Sequence, residues 1–274
     1  MKSINYFLCF TFFFIGLNCS KIAAQDNLNV DSDLKSKSIP LKIKRKGISA
    51  IGKYEFDGYK LISGKSGWST SKSNTSFKSN SKTSTKNKKA FVFVNKENDS
   101  VIANLAQNSD AEILVDSIIN LWIGNTLAIE AKNNFFNRTF FKWEGRTLKK
   151  GSETFVANFL FLKDNSSWDL TMVSPIMVEV DGNFQMDTTT EFNALLSNGI
   201  TDIEIKRIYH NEDAKISLIR GPAAGYEFYI NNMAVAALQY RPIDRMFIWM
   251  HNDLDENLKF VLAASSTALL VKEF

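Results

Sequence analysis

Residues 258–271 limit what this chain can fold into more than any other stretch. Leu258, Phe260, Val261, Leu262, Ala263, Ala264, Ala268, Leu269 and Leu270 leave no wide polar face on a helix. A helix that is apolar all round is buried, in protein or in lipid. The run is too short to cross a bilayer, which takes about 20 residues. The pattern therefore predicts a helix enclosed by its own protein. Asp253 and Glu256 precede it with the spacing of a capping box, one carboxylate accepting from the first free N–H groups while the other reaches back.

Strands must supply the enclosure. Upstream lie an aromatic strand at 226–230, an Asn231-Asn232 turn, a small-residue strand at 233–240 and a second aromatic strand at 246–251. Residues 41–46 alternate apolar and basic side chains and predict a first edge strand, its lysines discouraging edge-to-edge pairing. Asp57-Gly58 predicts a hairpin between strands at 48–56 and 58–62. Residues 90–94 and 101–106 pair across a turn at 95–100, and residues 110–123 read as a short helix or two short strands. Further strands fall at 126–131, 139–143, 153–162, 168–173, 176–180, 200–209 and 216–220, with another hairpin turn at Asp181-Gly182. The expected class is mainly β: an antiparallel barrel or roll of many strands around a C-terminal hydrophobic helix, with a β-sandwich carrying one packed helix as the alternative. Residues 41–274 form a single β-rich domain without internal repeats.

Residues 1–24 have the form of an export signal: Lys2, an apolar run at 6–17, and Ile22-Ala23-Ala24 before a cleavage point. Both cysteines, Cys9 and Cys19, fall inside it. A mature chain would lack disulfides, thiolate ligands and cysteine nucleophiles. Cys19 raises the alternative of a lipid-modified N-terminus. These features place the protein in the periplasm or at the cell surface. Residues 25–40 read as a flexible lead-in. The formal charge of +4 includes Lys2 and Lys21 of the signal, which leaves too weak a bias to argue for nucleic acid.

Residues 63–89 depart from the rest in composition, with nine Ser, four Thr, seven Lys and no acids. Such a stretch buries too little apolar surface to fold alone. It reads as a long solvated loop or as protruding strands with polar faces, the loop being preferred. Trp68 and Phe77, the only aromatic side chains in it, with Lys72, Lys78 and Lys82, form a candidate contact for a membrane lipid, a glycan or an envelope protein.

Motifs for chemistry are sparse. Neither His210 nor His251 has a second histidine at a ligand spacing, so no metal and no cofactor is expected. Gly58 and Gly64 are separated by five residues where a phosphate loop needs four. No Gly-x-Ser-x-Gly elbow occurs. Paired carboxylates remain open as glycosidase-type residues, with Glu144, Glu153, Asp169, Glu179, Asp181 and Asp187 on or near strands. The Asp253, Asp255, Glu256 cluster reads as a helix start rather than a Ca²⁺ loop.

The order of elements at 226–270, strand, turn, Met233-Ala-Val-Ala-Ala-Leu-Gln239, the strand around Phe247-Ile-Trp249, then the apolar helix, resembles the tubby C-terminal-like superfamily, which includes the LURP-one and scramblase families. The resemblance implies an antiparallel barrel of about twelve strands around a central helix and a lipid-facing binding domain. It covers the last fifth of the chain and carries no binding residues over. An export signal departs from the cytoplasmic ligands of that superfamily. The sequence thus supports an exported, non-enzymatic β-domain that binds lipid, glycan or protein, with an envelope carbohydrate-active enzyme using paired carboxylates as the alternative.

Overall fold

A computed structural model describes residues 28–47, 51–67, 69–75, 80–116, 145–180, 183–187, 189–208, 224–241 and 243–274. The predicted export signal, His210 and the predicted strands at 126–131, 139–143 and 216–220 lie outside these residues.

The C-terminal helix α2 (Glu256–Glu273) is the core. Every residue from Phe260 to Val271 is buried, on all faces of the helix. Two of its three buried hydroxyls find partners within the helix: Ser265 Oγ donates to the Val261 carbonyl at 2.8 Å and Thr267 Oγ1 to the Ala263 carbonyl at 2.9 Å, while Ser266 Oγ is buried without a partner. The small residues Ala263, Ala264, Ser265 and Ala268 allow the wall to approach closely, while each fully buried Leu, Val or Phe contributes about 1.5–3 kcal/mol. The cap differs from the expected capping box. Asp255 is the N-cap, its side chain accepting from the Leu258 N–H at 2.9 Å, and Asp253 lies outside the helix.

The wall is one nearly closed antiparallel sheet. Its strands, in chain order, are β1 (Leu41–Lys42), β2 (Lys44–Lys46), β3 (Lys53–Phe56), β4 (Tyr59–Ser66), β5 (Thr70–Thr75), β6 (Asn80–Val94), β7 (Ser100–Asp116), β8 (Gly145–Phe161) and β9 (Ser167–Pro175). A separate hairpin, β10 (Met177–Val180) and β11 (Asn183–Met186), follows. The wall resumes with β12 (Asn193–Ser197), β13 (Asp202–Ile208), β14 (Gly225–Ile230), β15 (Met233–Gln239) and β16 (Phe247–Met250). Spatial order is β1-β16-β15-β14-β13-β12-β9-β8-β7-β6-β4-β3-β2, with β5 on the outer part of β6. Residues 41–46 are therefore not an edge. Leu41 pairs with Ile248, Arg45 pairs with Tyr54, and the Ile43 N–H between them donates to the Met246 carbonyl at 2.9 Å. One short segment joins the first and last strands at a seam.

Turn chemistry sets the hairpins. Asp57 and Gly58 have φ of 44° and 82°, and Asn231 and Asn232 have 49° and 64°. Two successive positive φ values match the twist of the flanking strands. At Gly225 a Cβ would lie 2.2 Å from the Leu238 carbonyl oxygen, so β14 and β15 approach as closely as glycine permits.

Packing corrects one expectation and strand pairing corrects another. The segment before the wall is not a flexible lead-in. Leu28, Val30 and Leu34 are buried against Ile208, Ala224, Ala234, Ala237 and Trp249 on the outside of the barrel. A five-residue helix α1 (Ser32–Ser36), capped by Asp31, lies within this strap. The Asp31 N–H donates to Glu227 Oε1 at 2.7 Å, and the Asn252 N–H donates to the Lys37 carbonyl at 3.0 Å. Residues 63–89 are not a long loop either: β4, β5 and β6 run through most of them. The part of 110–123 that is described, up to Asp116, is strand within β7 rather than helix.

β6, β7 and β8 run 15, 17 and 17 residues. Their barrel halves carry inward Phe91, Phe93, Val101, Ala103, Leu105, Phe155, Ala157 and Phe159. Their other halves continue past the C-terminal end of α2 and, with β5, form a projecting arm.

Candidate functional site

Cross-strand partners in an antiparallel sheet share a face, and faces alternate along each strand. On β6 the inward positions are odd-numbered, as buried Phe91 and Phe93 show. Lys82, Lys86 and Lys88 are even-numbered and exposed. Lys72 on β5 stands opposite Ser84, Lys65 on β4 opposite Ala90, and Lys150 on β8 opposite Glu112, itself opposite Lys82. Six lysines thus share the outer face of four strands, with Asp110 and Glu112 as the acids among them.

The candidates from sequence divide accordingly. Lys72 and Lys82 come together beside a 450 Å³ groove that Ser84, Asp110, Glu112 and Lys150 also line. The side chains of Trp68, Phe77 and Lys78 lie outside the described residues. Lys65, Lys86, Lys88 and Lys150 were missed. Period-2 spacing of Lys82, Lys86 and Lys88 is legible once the stretch is read as a strand; Lys150 joins only through the register of β8.

Glu112 accepts ion pairs from Lys82 at 3.5 Å and Lys149 at 3.3 Å. Partial desolvation pushes its carboxyl up, but these ammonium groups outweigh that and hold it below the usual carboxylate range. Lys72, Lys86 and Lys88 have no acidic partner among the described residues. Beyond the lysines, the outer wall carries partly exposed aliphatic side chains: Val156 and Leu160 on β8, Leu162 after it, and Val173 on β9.

A second polar cluster sits inside, at the C-terminal end of α2. Lys272 is ion-paired with Glu153 Oε1 at 2.6 Å and with Glu273 Oε1 at 2.9 Å. Gln107 Nε2 donates to Glu153 Oε2 at 2.6 Å, and Tyr226 Oη donates to Glu273 Oε1 at 2.8 Å. Lys89 Nζ donates to the Val271 carbonyl at 2.6 Å, a cation at the negative end of the helix. Burial, and then Lys272, push the Lys89 ammonium below its ordinary value. Burial raises the Glu153 carboxyl, yet Lys272 and Gln107 hold it below the usual range. These groups close one end of the barrel and hold the helix.

The candidate carboxylates are placed as follows. Glu153 is held by Lys272. Asp187 accepts from the Gly151 and Thr189 N–H groups and from the Thr189 and Thr190 hydroxyls, fixing the turn after β11. Asp169 is exposed on the outer wall and accepts from Asn158 Nδ2 at 2.8 Å. The side chains of Glu144, Glu179 and Asp181 lie outside the described residues. His251 is buried on the strap side, its Nδ1 accepting from the Asp253 N–H at 3.2 Å. Among the described residues no group of three or more His, Cys, Asp or Glu side chains could hold a metal ion.

Comparison with protein-family models, with curated proteins and with solved structures finds no match to this chain.

Proposed function

We propose that this chain is an exported, non-enzymatic binding domain of the periplasm or cell surface, which docks through the outer face of its arm on a phosphate-bearing lipid surface. One observation carries the reading: Lys65, Lys72, Lys82, Lys86, Lys88 and Lys150 share one face, and among the side chains described there only Asp110 and Glu112 offset them. The whole chain is nearly balanced in charge, so this face is a local excess of cations rather than a consequence of composition. Lysine suits a lipid headgroup layer because each ammonium is a mobile point charge with three donors. Each such residue near an anionic membrane adds about 1 kcal/mol. Val156, Leu160 and Val173 on the adjoining outer wall offer aliphatic contact with the same surface. A core filled by α2 favours binding at the outside of the barrel over binding within it, and a wall around a central helix is in keeping with the resemblance to the tubby-like superfamily.

Co-sedimentation with vesicles tests this. The protein should bind vesicles containing phosphatidylglycerol, bind phosphatidylcholine vesicles far more weakly, and release as salt rises. A Lys72→Glu, Lys82→Glu, Lys86→Glu, Lys88→Glu variant should lose on the order of 100-fold in affinity. Absence of binding to the anionic vesicles, or equal binding by the variant, overturns the proposal. Selective retention by an anionic glycan or an acidic protein instead would assign the face to that partner.

A further inference from the structure

The opposite end of the barrel, where the polypeptide enters α2, holds a 290 Å³ cavity away from the arm. Its floor is aromatic and aliphatic: Phe161, Trp168, Leu258, Phe260 and Val261. Phe260 meets Phe161 edge-on at 5.2 Å, so the floor is a fixed part of the core. The rim is polar and comes from four separate places: the start of β7, the turn from β8 to β9, the turn from β12 to β13, and the first turn of α2.

Four rim side chains each engage the protein through one polar atom. Asp99 Oδ2 accepts from Asn95 and Lys163, Asp164 Oδ1 from Ser166, Asn198 Oδ1 from the Ile200 and Thr201 N–H groups, and Asp255 Oδ1 from the Leu258 N–H. The second polar atom of each has no partner among the described residues. A cavity with an apolar floor and a few fixed polar groups is the general form of a small-molecule site.

Charge selects the ligand class. Asp99, Asp164 and Asp255 repel an anion, and Lys163, the rim's cation, is already held by Asp99 at 2.8 Å and Glu97 at 3.3 Å. Lys163 and the positive end of the 18-residue α2 offset part of the carboxylate charge, and among the described residues these carboxylates do not converge as a group that could hold a metal ion. What remains is a neutral group rich in hydroxyls. A hydroxyl both donates and accepts, so it satisfies the spare carboxylate oxygens and the spare Asn198 amide together, while the C–H groups of a sugar ring cover the small apolar area that the largely buried floor leaves open.

We infer that this cavity is a binding site for a single neutral sugar unit, independent of the arm. Saturation-transfer NMR on the full chain tests it, with glucose, galactose, mannose and N-acetylglucosamine as probes and with glycerol 3-phosphate and spermidine as charged controls. At least one sugar should receive saturation, with an affinity on the order of 1 mM for so small a ligand. A variant combining Asp164→Asn, which keeps the turn acceptor, with Asn257→Ala, which removes an exposed amide that lines the rim from the first turn of α2, should bind it at least ~10-fold more weakly at unchanged thermal stability. The four-lysine variant should bind it normally, which separates this site from the arm. Transfer to none of the sugars, stronger transfer to either charged control, or full binding by the folded Asp164→Asn, Asn257→Ala variant would each overturn the inference.

Discussion

Two carboxylates show how differently single residues are used. Lys272 and Glu153 are 6% and 13% exposed and 2.6 Å apart. Removing one partner of such a pair leaves the other charge unpaired. Lys272→Met should therefore cost about 3–5 kcal/mol in urea unfolding, while Lys272→Met with Glu153→Gln should recover the part due to Glu153, Glu273 keeping its Tyr226 partner. Equal losses in both variants would show that the pair does not act as a unit. Asp187 reports through pH. Burial raises its carboxyl, but the Thr189 hydroxyl and N–H, the Gly151 N–H and the Thr190 hydroxyl outweigh this and hold it far below the usual range. A depressed folded-state pKa contributes stability above the unfolded value of about 4 and loses it as pH falls toward the folded value. Unfolding midpoints measured from about pH 7 down to pH 2 should fall along this acid limb, and Asp187→Asn should be weaker at pH 7 but flatter below about pH 4. An unchanged slope would count against Asp187 as a main source of the acid limb. Neither role is legible in the sequence, because Asp187 draws on Gly151 and Glu153 on Lys272, partners that only the fold brings near.

The closing helix was readable because its unbroken apolar surface admits few environments, and the hairpins because Asp57-Gly58 and Asn231-Asn232 favour positive φ. Ala264→Asp should abolish folding, as seen by loss of a cooperative thermal transition, since an unpaired carboxylate inside the barrel has no solvent to reach. Ala264→Gly, which adds no charge, should cost only about 1 kcal/mol. A folded Ala264→Asp protein would contradict the enclosure. The strap escaped notice because three apolar residues in a polar stretch show no period; their burial is decided by Ala234, Ala237 and Trp249 far along the chain. Leu34 is fully buried there, so Leu34→Ala should cost about 2–4 kcal/mol in chemical unfolding, whereas a flexible lead-in would give no change. β12 was missed since Leu195 and Leu196 face opposite ways and break the expected alternation. The arm was misread because Ser, Thr and Lys occupy both of its faces, and the ladder to β7 and β8, not side-chain burial, makes it a sheet.

For the molecule as a whole, the mainly β class and the helix inside a nearly closed barrel followed from the sequence, while the sites did not. The lysine face depends on the registers of β4, β5, β6 and β8, and the mouth cavity on four turns distant in sequence. The wall is also uneven in strength. β1 and β2 have two and three residues, against 17 in β7 and in β8. Amide exchange should therefore be faster at Ile43 and Ile248 than at Ala103 and Phe159; equal protection would mean the barrel opens only by global unfolding. The seam between the first and last strands is thus a latch. Its release frees a handful of backbone hydrogen bonds and leaves every long strand paired, so the protein can breathe at one line, wetting the side of a helix that is otherwise dry.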